Sequence, residues 1–166
     1  TMALSRHNLV DVVGGDLYFE GGNIIVGDEH VFVGSDTITE LSLEHSISRE
    51  DSKQILSSAF QKPIFEVGVK RSNGIKQPLF HIDMMMSVVS NPRERKAKNI
   101  VILNSPQMIL DTPNMRGDFW GSLIENIDAA LFQESEIRAI GEELSKAGYE
   151  VHFLPGVGID RMRYKS

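Results

Sequence analysis

Two short clusters hold the residue types that move protons and grip cations. The first is Phe19-Glu20-Gly21-Gly22-Asn23. Adjacent glycines let a backbone approach a ligand closely or turn with positive φ, and here they stand between a carboxylate and a carboxamide that both accept hydrogen bonds. A plain Gly-Gly turn ahead of a strand is the simpler account of the same residues, and Gly14-Gly15-Asp16 just upstream shows how readily such pairs arise. The second cluster is Phe80-His81-Ile82-Asp83-Met84. Read as a strand, it places His81 and Asp83 on one face and Phe80, Ile82 and Met84 on the other. A carboxylate beside a histidine orients the ring for general acid/base work near neutral pH. A structural His-Asp pair at a strand end explains the spacing equally well. A metal site does not, because no second cluster supplies further ligands, and neither a metal nor a cofactor is expected. The methionine run Met84 to Met86 reads as core packing.

Two copies of one order of elements are expected to position these clusters, as units of about 17–75 and 79–155 within one domain, 1–166. In the first unit, residues 23–26 and 30–34 are short β-branched runs around Gly27-Asp28-Glu29, the pattern of a hairpin. Ser48 with Asp51 forms an acidic capping box, and Ile55, Leu56 and Ala59 give the helix behind it an apolar face that ends before Pro63. Residues 64–69 read as a third strand, with Ser72-Asn73-Gly74 as its turn. The second unit has strands over 79–89, 99–103 and 150–154. Its helix spans 134–147, with Ile137, Ile140, Leu144 and Ala147 at helical spacing and Gly148 just past the end. Residues 106–121, rich in turn formers and containing Trp120, read as a long loop. Tandem strand-strand-helix-strand units do not fit a doubly wound sheet, which alternates strand and helix singly. They point to an α/β fold of repeating units that bury their faces against one another.

Composition narrows the functional classes. With 41% apolar and 24% charged residues the chain is of globular type, and 166 residues suit one domain. The apolar runs fall far short of the roughly 20 residues that span a bilayer, so no membrane partner is expected. A net charge of −6 argues against nucleic acid, and the one basic cluster, Arg93, Arg95, Lys96 and Lys98, reads as a solvated loop. An acidic protein suits a cationic substrate. The absence of cysteine and of a leader-like start favours a reducing, cytoplasmic setting.

Taken together, FEGGNIIVGDEHVFVG and, about sixty residues later, PLFHIDMMM resemble the EGG(D/N/S) and HxD elements of the guanidino-group-modifying superfamily. That superfamily includes the arginine and agmatine deiminases, dimethylarginine dimethylaminohydrolase and the amidinotransferases. The resemblance covers roughly residues 17–89. It implies an α/β propeller, the pentein fold, of which this chain would supply two to three of five units. It also implies that Glu20 is a substrate carboxylate, His81 the general acid/base and Asp83 a guanidinium contact, with Asn23 lining the same pocket. Opposed carboxylates suit a guanidinium because its planar fork of donors binds them bidentately.

The chain departs from the superfamily pattern at two points. It has no cysteine, the residue that in that superfamily forms a covalent thiouronium adduct with the guanidinium carbon. The partner aspartate also normally lies well upstream of EGG, and Asp11 and Asp16 stand too close to Glu20 to replace it. An excised piece of a longer enzyme is the favoured expectation, since no capping unit is recognisable at either end, with a complete but noncatalytic chain as the alternative. The activity implied is a deiminase-like C–N hydrolase acting on a small cationic guanidino compound. An amidinotransferase or a binding module on the same architecture are the competing readings.

Overall fold

The computed structural model describes residues 19–72, 74–89, 99–112 and 127–156. The described residues form a mixed α/β structure of small sheets and four α-helices, without a closed barrel. A one-turn 3-10 segment, Gly21–Asn23, leads into β1 (Ile24–Val26) and β2 (Val31–Gly34). Helices α1 (Ser35–Glu44) and α2 (Arg49–Phe60) follow, then β3 (Ile64–Val67). A short hairpin of β4 (Val69–Arg71) and β5 (Gly74–Lys76) leads to a second 3-10 turn, Ile82–Met84. Then come β6 (Met86–Val89), β7 (Ile100–Ser105), α3 (Pro106–Asp111), α4 (Ile127–Lys146) and β8 (Glu150–Pro155).

The two three-stranded sheets have the same wiring. In the first, the central strand β2 pairs antiparallel with β1 and parallel with β3. In the second, β7 pairs antiparallel with β6 and parallel with β8. A hairpin accounts for the first antiparallel pair, with the Gly27 amide donating to the His30 carbonyl at 2.9 Å. The parallel pairs need a crossover, which the helices supply. Local chemistry fixes the helix ends. Ser48 accepts from the Asp51 amide while Asp51 reaches back to the Ser48 amide, the full capping box. Helix α4 ends in a Schellman motif: Tyr149 donates to the Leu144 carbonyl and Gly148, at φ +96°, to that of Ser145.

The two faces of the first sheet feed two cores. Val31 and Val33 pack with Ile38, Leu41 and Leu56 of α1 and α2. Phe32, on the opposite face, joins Leu79, Ile82, Met85, Met86, Val101, Leu103 and the α4 residues Ile137, Ile140 and Leu144, so one continuous core spans both sheets. Tyr149 sits among Phe32, Phe65 and His30 where the units meet. Met85 and Met86 are buried, as the core reading of the methionine run anticipates.

Several expected elements are corrected. Among the described residues each unit runs strand-strand-helix-helix-strand, because a helix, α1, occupies 35–44 and a short one, α3, opens the stretch expected to be loop over 106–121. Ser105 caps α3 and Pro106 sits at its first position, where a missing amide costs nothing. Helix α4 begins at Ile127, seven positions before the expected start at Glu134. The strand expected over 64–69 ends at Val67, and Gly68 separates it from β4. Asn23 belongs to the first 3-10 turn and not to β1. The strand expected over 79–89 is strand only from Met86. Its first half is claimed by side-chain amides: Gln77 Nε2 donates to the carbonyls of Leu79 and Phe80, and Asn23 Oδ1 accepts from the Ile82 amide. Those backbone groups are thereby taken out of any ladder. Trp120, Asn73 and the basic cluster at Arg93, Arg95, Lys96 and Lys98 lie outside the described residues.

Candidate functional site

The two 3-10 turns pack against each other, and that contact joins the two sequence clusters. Glu20 is the residue before the first turn and His81 the residue before the second, both with extended backbone. The His81 Nε2 lies 2.7 Å from Glu20 Oε2, across 61 positions of sequence. Both side chains are partly open to solvent, at 28% for His81 and 38% for Glu20. The pair is therefore fixed and reachable. A carboxylate on Nε2 dictates which ring nitrogen carries the proton when the imidazole is neutral, and leaves Glu20 Oε1 as the oxygen not taken by the histidine.

Close packing holds the ring. A Cβ on Gly22 would stand 2.5 Å from His81 Nδ1 and 2.7 Å from Cγ, so the imidazole lies against backbone that only glycine leaves bare. The Phe80 ring also stacks on it, with centroids 4.3 Å apart and planes 29° from parallel. Phe80 stays 41% exposed, an aromatic surface next to the pair.

Below the pair is a buried amide network. Asn23 is 3% exposed and Gln77 1%. Gln77 Nε2 donates to Asn23 Oδ1 at 2.7 Å and to the carbonyls of Leu79 at 2.7 Å and Phe80 at 2.8 Å. Asn23 Oδ1 also accepts from the Ile82 backbone N–H at 3.3 Å, and the Asn23 backbone N–H donates to the Glu20 carbonyl at 2.9 Å. Asn23, expected to line a substrate pocket, is thus a buried tie with its carboxamide oxygen already engaged.

Asp83 is not bonded to the pair. It falls inside the 3-10 turn, exposed, with no hydrogen bond or ion pair to Glu20 or His81 among the described residues. The strand face that would have aligned it with His81 does not form. At about three residues per turn, successive side chains of a 3-10 segment rotate by roughly a third of a circle, so alternate positions no longer share a side.

Helix α1 adds a feature that sequence reading missed. Asp36, Glu40 and Glu44 recur at four-residue spacing along it, one stripe of the helix. The Glu40 carboxyl is pushed above its usual range, first by partial burial and then by the charges of Glu20, Asp36 and Glu44. Glu20 therefore stands in a field of like charge that favours a cation. The signal was faint: α1 has Gly34 at its N-cap and no capping side chain.

No known family, curated protein or solved structure matches the chain. Among the described residues no group of His, Asp and Glu has the arrangement of a metal site, and no helix is long and apolar enough to cross a membrane. What remains is a solvent-reachable carboxylate–imidazole couple beside an acidic helix face and an exposed aromatic ring. Such a site can bind a planar cation and pass a proton to it or take one from it.

Proposed function

We propose that the chain carries the guanidinium-binding and proton-transfer part of a guanidine-modifying C–N hydrolase of the deiminase type, on a pentein-like α/β propeller. The observation that carries this reading is the 2.7 Å contact between His81 and Glu20, the two residues that the EGG and HxD resemblance singles out. The identical wiring of the two sheets is consistent with a repeat architecture. Arginine, agmatine or a related small guanidino compound would place its donor fork on Glu20, with the acidic stripe of α1 drawing the cation in.

In this reaction a thiolate adds to the guanidinium carbon, and His81 protonates the nitrogen that leaves as ammonia. The resulting thiouronium is cleared when His81 takes a proton from water as the water adds to the same carbon and the thiolate departs, giving the ureido product. An amine in place of water would make the outcome amidine transfer. The 166 residues contain no cysteine, so the thiolate is not theirs and the chain alone is expected not to turn over guanidines. The same absence favours a second reading, a noncatalytic binding module with this site.

Titration calorimetry with arginine and agmatine tests the binding step. About millimolar affinity is expected, because each charged hydrogen bond missing from a complete pocket removes roughly 1.5–3 kcal/mol, or one to two decades. Glu20→Gln should abolish detectable binding, whereas Asp83→Ala, an exposed charge, should weaken it by less than about fivefold, the range of a surface ion pair. Glycine betaine, cationic but without the donor fork, should not bind. Equal affinity for betaine and arginine would mean that the acidic surface collects cations generally, and the guanidinium reading would be lost.

A further inference from the structure

We infer that Gln77 is the positioning residue of the site, a buried carboxamide that sets the distance between His81 and Glu20. The inference rests on the reading of that pair as the working one, but its evidence is separate. The pair is carried by two segments far apart in sequence, and neither side chain is deeply buried, so something beneath must fix the spacing. Gln77 does so with one nitrogen. Its Nε2 points two hydrogens at three acceptors: the Leu79 and Phe80 carbonyls on the segment that ends in His81, and Asn23 Oδ1 on the turn that follows Glu20. Asn23 closes the circuit: its backbone N–H donates to the Glu20 carbonyl, and its Oδ1 accepts from the Ile82 backbone N–H.

The surroundings are shaped for this amide. A Cβ on Gly34 would stand 1.9 Å from Gln77 Oε1 and 2.9 Å from Asn23 Oδ1, so the last residue of β2 must be glycine for the clamp to close. Gly34 has φ −59°, which alanine adopts freely, so its requirement is one of space and not of backbone conformation. Buried amides of this kind are held in one arrangement, because a donor left without an acceptor away from water costs far more than an exposed one. Gln77 does not touch substrate in this arrangement. It acts through the two residues that would.

The test is a coupling measured at His81. In the unaltered chain, Glu20→Gln should move the imidazole nitrogen resonances of His81, since it changes the charge facing Nε2. In Gln77→Met, which keeps the volume and removes the donor, the same Glu20→Gln change should leave those resonances nearly still, while the β1 and β2 amide signals report an intact sheet. Gly34→Ala keeps every hydrogen-bonding group and displaces the carboxamide by sterics alone, so it should produce the same loss. A full Glu20 response at His81 in either folded variant would overturn the inference, leaving Gln77 a stabilising side chain only. In the unaltered chain the Gln77 side-chain amide protons should exchange slowly with solvent, and rapid exchange would overturn it even if both variants fail to fold. Guanidine titration is independent: coupling through Gln77 without arginine binding would sink the functional reading and leave this one standing.

Discussion

The two sheets are wired alike and buried differently. All four residues of β2 are buried, whereas β7 alternates half-buried and buried and β8 alternates exposed and half-buried. In the first unit α1 and α2 cover one face and the second unit covers the other. In the second unit the helix-facing side is sealed by Val101 and Leu103, while Val89, His152 and Leu154 leave the opposite side open. The sequences agree with this: Val31-Phe32-Val33 is an unbroken apolar run, as a strand covered on both faces requires, and Glu150 to Phe153 alternates polar and apolar, as a one-sided strand does. The site lies at the edge of the sealed sheet, where the second unit begins. Glu20 and Asn23 lie just before β1, Gly34 ends β2, and His81 arrives from the segment that packs onto that sheet. The polar pair is thus mounted beside the strand that is buried on both faces.

The largest expected effect breaks this contrast at its centre. Phe32→Ala removes a fully buried ring that contacts Phe65 and Tyr149, and should cost about 3–5 kcal/mol in urea unfolding. Ile102, the residue with the equivalent outward position on β7, is only half-buried, and its truncation should cost about 1 kcal/mol, near half the value of a fully buried aliphatic chain. Equal losses would mean that both units are sealed in solution.

Helix caps sharpen the comparison at smaller scale. Ser48 caps α2 at the surface, so Ser48→Ala should cost about 1 kcal/mol. Ser105 caps α3 and is fully buried, and its hydroxyl also donates to Glu134 Oε2 at 2.8 Å. Ser105→Ala removes a cap and leaves a buried carboxylate short of a donor, so it should cost about 1–3 kcal/mol, more than Ser48→Ala. Thermal denaturation of the two variants decides the order. The reverse order would show that Arg138 and the Gln107 amide, the other partners of Glu134, suffice for it.

Much of this was legible in the residues. The hairpin followed from Gly27-Asp28-Glu29 between β-branched runs, α2 from Ser48 and Asp51, and the end of α4 from Gly148, because each depends on interactions within a few positions. Helix α1 was not legible, since its start lacks a capping side chain and tertiary burial of Ile38 and Leu41 holds it. Of the site, the Glu20 and His81 meeting was indicated by the EGG and HxD pattern, but the true form of the His81 segment was hidden. Its strand-like alternation was overridden by two buried amides, and nothing about a lone Gln77 ahead of Pro78 announces that its side chain will take the backbone carbonyls.

The seam between the units should respond to pH. Tyr149, from the second unit, places its hydroxyl against His30 Nδ1 of the first, with Phe32 and Phe65 around its ring. Burial pushes its hydroxyl up to about 12 from an ordinary 10.0, and the nearby charge of Glu29 acts in the same direction. The folded chain therefore keeps the phenol proton at a pH where the unfolded chain has lost it. Stability from this source is fully present below pH 10.0 and falls as pH rises through about 12, because the unfolded state then binds fewer protons than the folded one. Urea unfolding repeated across that window should show a loss of stability that Tyr149→Phe removes, the variant being less stable at neutral pH but flatter with pH. Identical slopes in the two chains would place the hydroxyl in contact with solvent, and the sealed face of the first sheet would then end short of the seam.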